Sequence, residues 1–155
     1  MHKVISAFPG IGKTTLVQTN KNYIDLESSD YKWIDINKTL SIEERKGTAK
    51  TINPDFPENY IKKIVELTSM GYNVLISSHK EVREALQAQG IKYTIVLPSL
   101  DMKEEMINRY LSRGNQENFV NLLKANYEKF IEDLSMDPND KIVLKHREYL
   151  SDIVK

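Results

Sequence analysis

The stretch Val4-Ile5-Ser6-Ala7-Phe8-Pro9-Gly10-Ile11-Gly12-Lys13-Thr14-Thr15-Leu16-Val17-Gln18 decides how the rest of the chain is read. A short apolar run leads into a loop with two glycines, and the loop leads at once into Lys-Thr-Thr and a helical pattern. This is the order a phosphate-cradling loop requires: a buried strand, converging backbone N–H groups, and a helix N-terminus aimed at the anion. Gly12 lets the backbone approach a phosphate with no Cβ in the way, and Gly10 supplies a residue tolerant of positive φ. Ala7 stands where the first glycine of the G-x-x-x-x-G-K-[ST] template is usually written, and it is the smallest replacement available.

Pro9, Gly10, Ile11, Gly12, Lys13, Thr14 and Thr15 are therefore the expected nucleotide-phosphate contacts. Lys13 is expected to bridge the β- and γ-phosphates, and the Thr14 hydroxyl to face Mg²⁺. The loop leaves open which group receives a phosphoryl unit, so the rest of the chain has to be searched for an acceptor.

Composition sets the bounds. At 155 residues the chain is the size of one domain, and a single domain over 1–155 is expected. Lys plus Arg equals Asp plus Glu at 22 each, which removes any global electrostatic case for nucleic acid or an anionic membrane but allows a local basic cleft. No cysteine is present, so disulfides, thiolate metal sites and a Cys nucleophile are excluded and a reducing cytoplasm is the expected location. Met1-His2-Lys3 runs straight into the first strand with no apolar leader, and no membrane span is expected. The three histidines, His2, His79 and His146, lack zinc-ligand spacing.

Along the chain, apolar runs alternate with helical periodicity. Strands are expected near Lys3–Phe8, Tyr23–Glu27, Asn73–Ile76, Tyr93–Leu97 and Lys141–Leu144. Helices are expected from Lys13 to Asn20, from Pro57 to Met70 and from a Ser78/Glu81 capping box to Gly90. Further helices are expected from a Ser99 or Asp101 cap to Ser112, from Asn115 to about Ser135, and from Tyr149 to Val154. The apolar stripes assigned to these helices include Val65, Ile107, Leu111 and Leu122. Residues 31–54 are the least regular part, with Tyr31, Trp33, Ile34 and Ile36 among charges and a capping-box spacing at Ser41–Glu44. Five strands alternating with helices imply an α/β fold with a doubly wound parallel sheet.

Read together, the segments FPGIGKTT, DLESSD, NPDFPENYI, LISSHKEVR and RYLSRGN give the chain an order of parts that resembles the small P-loop kinases. These comprise the nucleoside monophosphate kinases, the gluconate and shikimate kinases, the polynucleotide 5′-kinases and small phage-type nucleotide-kinase-like proteins. The resemblance covers nearly the whole chain. It implies a P-loop NTPase fold with a five-stranded parallel sheet ordered 2-3-1-4-5, an acceptor-binding insertion at about 31–56 and an arginine-bearing lid at about 100–118. ATP and Mg²⁺ are the implied donor and cofactor. The implied activity is phosphoryl transfer to a small acceptor, most simply a (deoxy)nucleoside monophosphate.

On the acceptor side, Asp25 is the expected acid at the end of the second strand, able to orient the incoming oxygen and to help hold Mg²⁺ with Thr14. Glu27 lies on the same face, and Lys80 and Arg83 are candidates for the acceptor's own phosphate. His79, near a helix start, is equally readable as a structural donor. On the lid, Arg109 and Arg113, one turn apart, are expected to neutralise the transferring group, against the blander reading of a basic face paired with Glu105 or Glu117.

The third strand ends in Ser77-Ser78 where many P-loop NTPases carry an acid, which argues against a motor or switch GTPase. Two alternatives remain: a polynucleotide 5′-kinase using Tyr31, Trp33, Lys32 and Lys38, and a nucleotide-binding module without catalysis. Nucleic acid is not favoured as a partner given the neutral total charge, and no residue pattern specifies an oligomeric state.

Overall fold

The structure is a computed structural model, and it describes residues 4–34 and 51–153. Its elements in chain order are β1 (Val4–Ala7), α1 (Lys13–Thr19), β2 (Tyr23–Asp25), α2 (Ser29–Lys32), β3 (Trp33–Ile34) and β4 (Thr51–Ile52). They continue with α3 (Glu58–Ser69), β5 (Asn73–Ser77), α4 (Lys80–Ala88), β6 (Thr94–Pro98), a 3₁₀ turn (Leu100–Met102) and α5 (Lys103–Ser112). The last elements are α6 (Glu117–Ser135), β7 (Asp140–Leu144) and α7 (Leu150–Ile153).

Five of the strands form one parallel sheet in the order β2-β5-β1-β6-β7. In terms of the five core strands this is 2-3-1-4-5, the order expected above. The apolar runs explain it: Val74, Leu75, Ile76, Ile95 and Val96 are all fully buried, so the central strands lie covered on both faces, and a parallel sheet needs helices to cover it. Strand β1 has β5 on one side and β6 on the other, and the loop after it opens at the carboxyl end of the sheet, where such folds form their binding crevice.

Helical stripes follow the expected spacing with a few corrections. In α3, Tyr60, Ile61, Ile64 and Leu67 are buried, whereas Val65 lies 44 % exposed beside the stripe. In α6 the buried seam is Val120, Leu123, Tyr127, Ile131 and Leu134, and Leu122 faces outward. In α5, Met106 and Tyr110 are buried while Leu111 is exposed and Ile107 only partly covered. In each case a three–four alternation admits two neighbouring apolar residues, and packing selects one. Gly71 follows α3 with φ 100, the left-handed stop its position called for.

Two expected caps are absent. Helix α4 starts after His79 in extended backbone, with no side-chain cap, because the segment is held from the other direction: Arg83 Nε donates to the Ser78 carbonyl at 3.0 Å. Helix α5 likewise has no side-chain cap and is preceded by the 3₁₀ turn, which buries Met102. Strand β2 ends at Asp25, two residues short of the expected limit. There Leu26 is buried, the Tyr60 hydroxyl donates to its carbonyl at 2.5 Å, and Glu27 turns out to solvent.

Within the irregular region, α2 leads into β3, which pairs antiparallel with β4 through Trp33↔Ile52 and Ile34↔Thr51. Ile36, Lys38 and the Ser41–Glu44 spacing lie outside the described residues. No helix among the described residues is long and apolar enough to cross a membrane.

Candidate functional site

The loop after β1 is built by glycine. Gly10 and Gly12 adopt φ 84 and 98, in the left-handed region that costs other residues strain. A Cβ on Gly10 would lie 2.5 Å from Tyr110 Cε1, where there is no room for it, and one on Gly12 3.2 Å from Tyr149 Cδ1, a tight contact. Ile11, between them, is fully buried and anchors the loop to the core. Gly12 is the N-cap of α1 and offers no side chain, and the first turn of α1 carries no acid. The first-turn N–H groups of a helix lack intrahelical acceptors, so this end is open to an anion.

Helix α5 and the segment after β7 brace the loop from above. The Tyr110 hydroxyl donates to the Pro9 carbonyl at 2.8 Å, and burial holds that phenol far above its ordinary pKa, so it stays a donor. Leu150 N–H donates to the Ile11 carbonyl at 2.7 Å. Arg109 donates to the Gly10 carbonyl at 3.3 Å, to the Glu148 carbonyl at 2.9 Å and to Glu105 at 2.6 Å. Its guanidinium also lies 3.8 Å from the centre of the Tyr149 ring.

Together these elements enclose a cavity of about 740 Å³ lined by Gly10, Gly12, Lys13, Thr14 and Thr15 from the loop. Its other walls are Glu105, Asn108, Arg109, Ser112 and Arg113 of α5, with Arg147 and Tyr149 of the last loop. Four of these side chains are basic and one is acidic, in a chain whose charges balance overall. Such a wall concentrates positive potential where the open helix end already points.

Glu105 organises that wall. Its carboxylate accepts from the Arg147 N–H at 3.1 and 3.0 Å, from Arg109, and faces His146 Nδ1 at 3.2 Å. Burial works against its charge, but the Arg147 N–H, His146 and Arg109 outweigh it and hold the carboxyl below its ordinary pKa. Asp101 takes the other face of His146 at 3.2 Å.

The acceptor-side residues are placed as follows. Lys13 Nζ lies 3.7 Å from Asp25 Oδ1, too far for a hydrogen bond but within ion-pair range, and that oxygen is buried with no hydrogen-bond partner. His79 is pushed below its ordinary pKa by loss of water and then by Lys32 and Lys13, with Glu27 and Glu81 opposing. Lys80 is exposed and lies 3.9 Å from Glu84.

Arg83 departs from expectation. It turns inward to pair with Asp137 at 2.8 Å, its side chain 8 % exposed. It is held there because Asp137 also accepts from Tyr93, Gln87 and Asn139. The Arg109 side chain is 8 % exposed, and the pairing with Glu105 weighed against a role in neutralising the transferring group is present.

Several lining residues carried no signal when read singly. Glu105 is visible only as the i−4 partner of Arg109, and Arg147 and Tyr149 only as part of a short polar segment before α7. Comparison with known proteins assigns no family, since no family model and no curated protein matches the chain.

Proposed function

We propose that this protein transfers the γ-phosphoryl group of ATP to a small acceptor, a (deoxy)nucleoside monophosphate being the acceptor class, in the cytoplasm. One observation carries the reading: a left-handed glycine loop at a helix start floors a cavity whose other walls carry three arginines, Arg109, Arg113 and Arg147, against one carboxylate, Glu105. A polyphosphate meets backbone N–H groups below and guanidinium groups above, which is the arrangement that phosphoryl transfer asks of a protein.

In this reading Lys13 leaves Asp25 for the β- and γ-phosphate oxygens when nucleotide enters. Asp25 is then free to orient the acceptor oxygen. A monophosphate acceptor attacks through its phosphate oxyanion, which bonds to the γ-phosphorus as the bond to the β–γ bridging oxygen breaks and ADP leaves; a proton on the monoanionic form passes to Asp25 or solvent. Arg113, exposed on the cavity wall, neutralises the equatorial oxygens, while Arg109 keeps loop and wall together.

The donor set suits Mg²⁺: Thr14 lines the cavity, Asp25 Oδ1 has no hydrogen-bond partner among the described residues, and Mg²⁺ keeps most of its shell as water and phosphate oxygen. Thr14 and Asp25 would hold the ion, which would offset charge on the β- and γ-phosphate oxygens.

The test is a panel of nucleoside monophosphates, nucleosides and 5′-hydroxyl oligonucleotides incubated with ATP and Mg²⁺, followed by product analysis. Acceptor-dependent formation of ADP and a phosphorylated monophosphate is the expected result. Product only from oligonucleotides would replace the acceptor class, and ATP binding with no product from any acceptor would leave a nucleotide-binding module.

A further inference from the structure

Among the described residues, six have a left-handed backbone: Gly10, Gly12, Gly71, Gly90, Gly114 and Arg147. At the first five the chain meets the requirement with the residue that bears it freely. At the sixth it places an arginine, with φ 68. A strained, non-glycine position beside a cavity calls for an account of what its side chain does.

The turn that holds Arg147 is fixed by hydrogen bonds to its backbone, most of them from side chains. Its own N–H is taken by both oxygens of Glu105. The Glu148 carboxylate accepts from the Lys145 N–H at 2.7 Å, and the Glu148 N–H returns to the Lys145 carbonyl at 3.0 Å. Asp152 accepts from the Tyr149 N–H at 2.7 Å, and the Glu148 carbonyl is held by Arg109. With the backbone fixed at this many points, the Cα–Cβ direction of Arg147 is set by the fold, and the residue lines the cavity.

Two of the other three cations of the cavity differ from it. Lys13 faces Asp25, and Arg109 is engaged by Glu105 and two carbonyls. Arg113 and Arg147 are exposed and make no ion pair with a carboxylate among the described residues. They line the same volume from separate segments, the C-cap of α5 and the loop after β7.

We infer that Arg147 is a polyphosphate-binding residue of this cavity, carried on a left-handed turn that Glu105 clamps in place. The inference rests on the phosphate-site reading above and adds to it a residue outside both the glycine loop and α5. A guanidinium there offers a planar pair of donors to phosphate oxygens, which a lysine replaces only as a point charge.

The turn makes the test clean. Arg147→Gly removes the side chain and suits φ 68, so its thermal midpoint should equal or exceed that of the unmodified protein. Binding is read by calorimetry on the full chain with the non-hydrolysable analogue AMP-PNP, inorganic tripolyphosphate and adenosine. Arg147→Gly should weaken AMP-PNP and tripolyphosphate at least fivefold and leave adenosine unchanged, with Arg147→Lys between.

A smaller loss for tripolyphosphate, or an equal loss for adenosine, overturns the inference. If the unmodified chain bound neither AMP-PNP nor tripolyphosphate, the proposed function would fall and this inference with it. Binding indifferent to Arg147 removes the inference alone.

Discussion

Two arginine–carboxylate pairs stand at different places in this fold and show how the same chemistry serves different ends. Arg83 and Asp137 meet at 2.8 Å with side chains 8 % and 0 % exposed, and every other group around the carboxylate is also a protein donor. Arg109 and Glu105 meet at 2.6 Å, equally well formed, but they are a wall, with an open basic volume on one side. The first pair ties α4 to the turn between α6 and β7. The second ties α5, the glycine loop and the last loop around a space that protein does not fill. What separates pin from wall is the presence of unfilled volume beside the charges.

The largest expected effect comes from breaking the pin. Asp137→Ala leaves Arg83 buried and uncompensated, which should cost about 3–5 kcal/mol in urea unfolding. The activity of the molecules that remain folded should not change. The carboxyl of Asp137 sits below its ordinary value of 3.8: burial pushes it up, but hydrogen bonds from Tyr93, Asn139 and Arg83 prevail. Its contribution is therefore complete above that value and is lost as pH falls through the lower folded value. An acid unfolding curve in which Asp137→Asn tracks the unmodified protein would refute the pin.

Breaking the wall's floor should do the opposite. Lys13→Ala is expected to lower the initial rate of phosphoryl transfer by roughly 10²–10³-fold, as for other lost electrostatic contacts to a developing charge. The ion pair it removes is loose and partly exposed, so the unfolding midpoint should scarcely move. Full transfer activity in Lys13→Ala would end the kinase reading.

The smallest effect sharpens the comparison at the wall's outer edge. His146 bridges Asp101 and Glu105, and its pKa is raised above 6.5 by those two partners while desolvation opposes weakly. A raised histidine adds stability fully below its ordinary value, and that contribution is lost as pH rises through the folded value. Amide exchange in the loop 145–149 should therefore quicken from about pH 6.5 upward beyond the intrinsic rate, and His146→Gln should remove that added step. An identical pH profile in the variant would refute the bridge.

Much of this was legible in the chain. The apolar runs at Lys3–Phe8, Asn73–Ile76 and Tyr93–Leu97 read as buried parallel strands, because continuous hydrophobicity leaves little face for water, and the structure has strands at Val4–Ala7, Asn73–Ser77 and Thr94–Pro98. The Gly10-Ile11-Gly12-Lys13 order announced the loop, since positive φ and close approach are properties of glycine itself. Arg83 was illegible. A single basic residue one turn into a helix reads the same whether it faces a ligand or a carboxylate 54 positions away, and only the fold supplied Asp137. Arg147 was illegible for the converse reason, because φ 68 is a property of the closed turn around it.

The sequence by itself determined the alternation of strands and helices, the glycine loop and the basic residues available to it, because periodicity and backbone freedom are local. Only the tertiary structure decided which arginines face the cavity, that Arg109 braces the loop, and that Glu105 and Arg147 belong to the site. Those outcomes depend on contacts between segments far apart in the chain, and on which charges the packing seals in and which it leaves beside open volume.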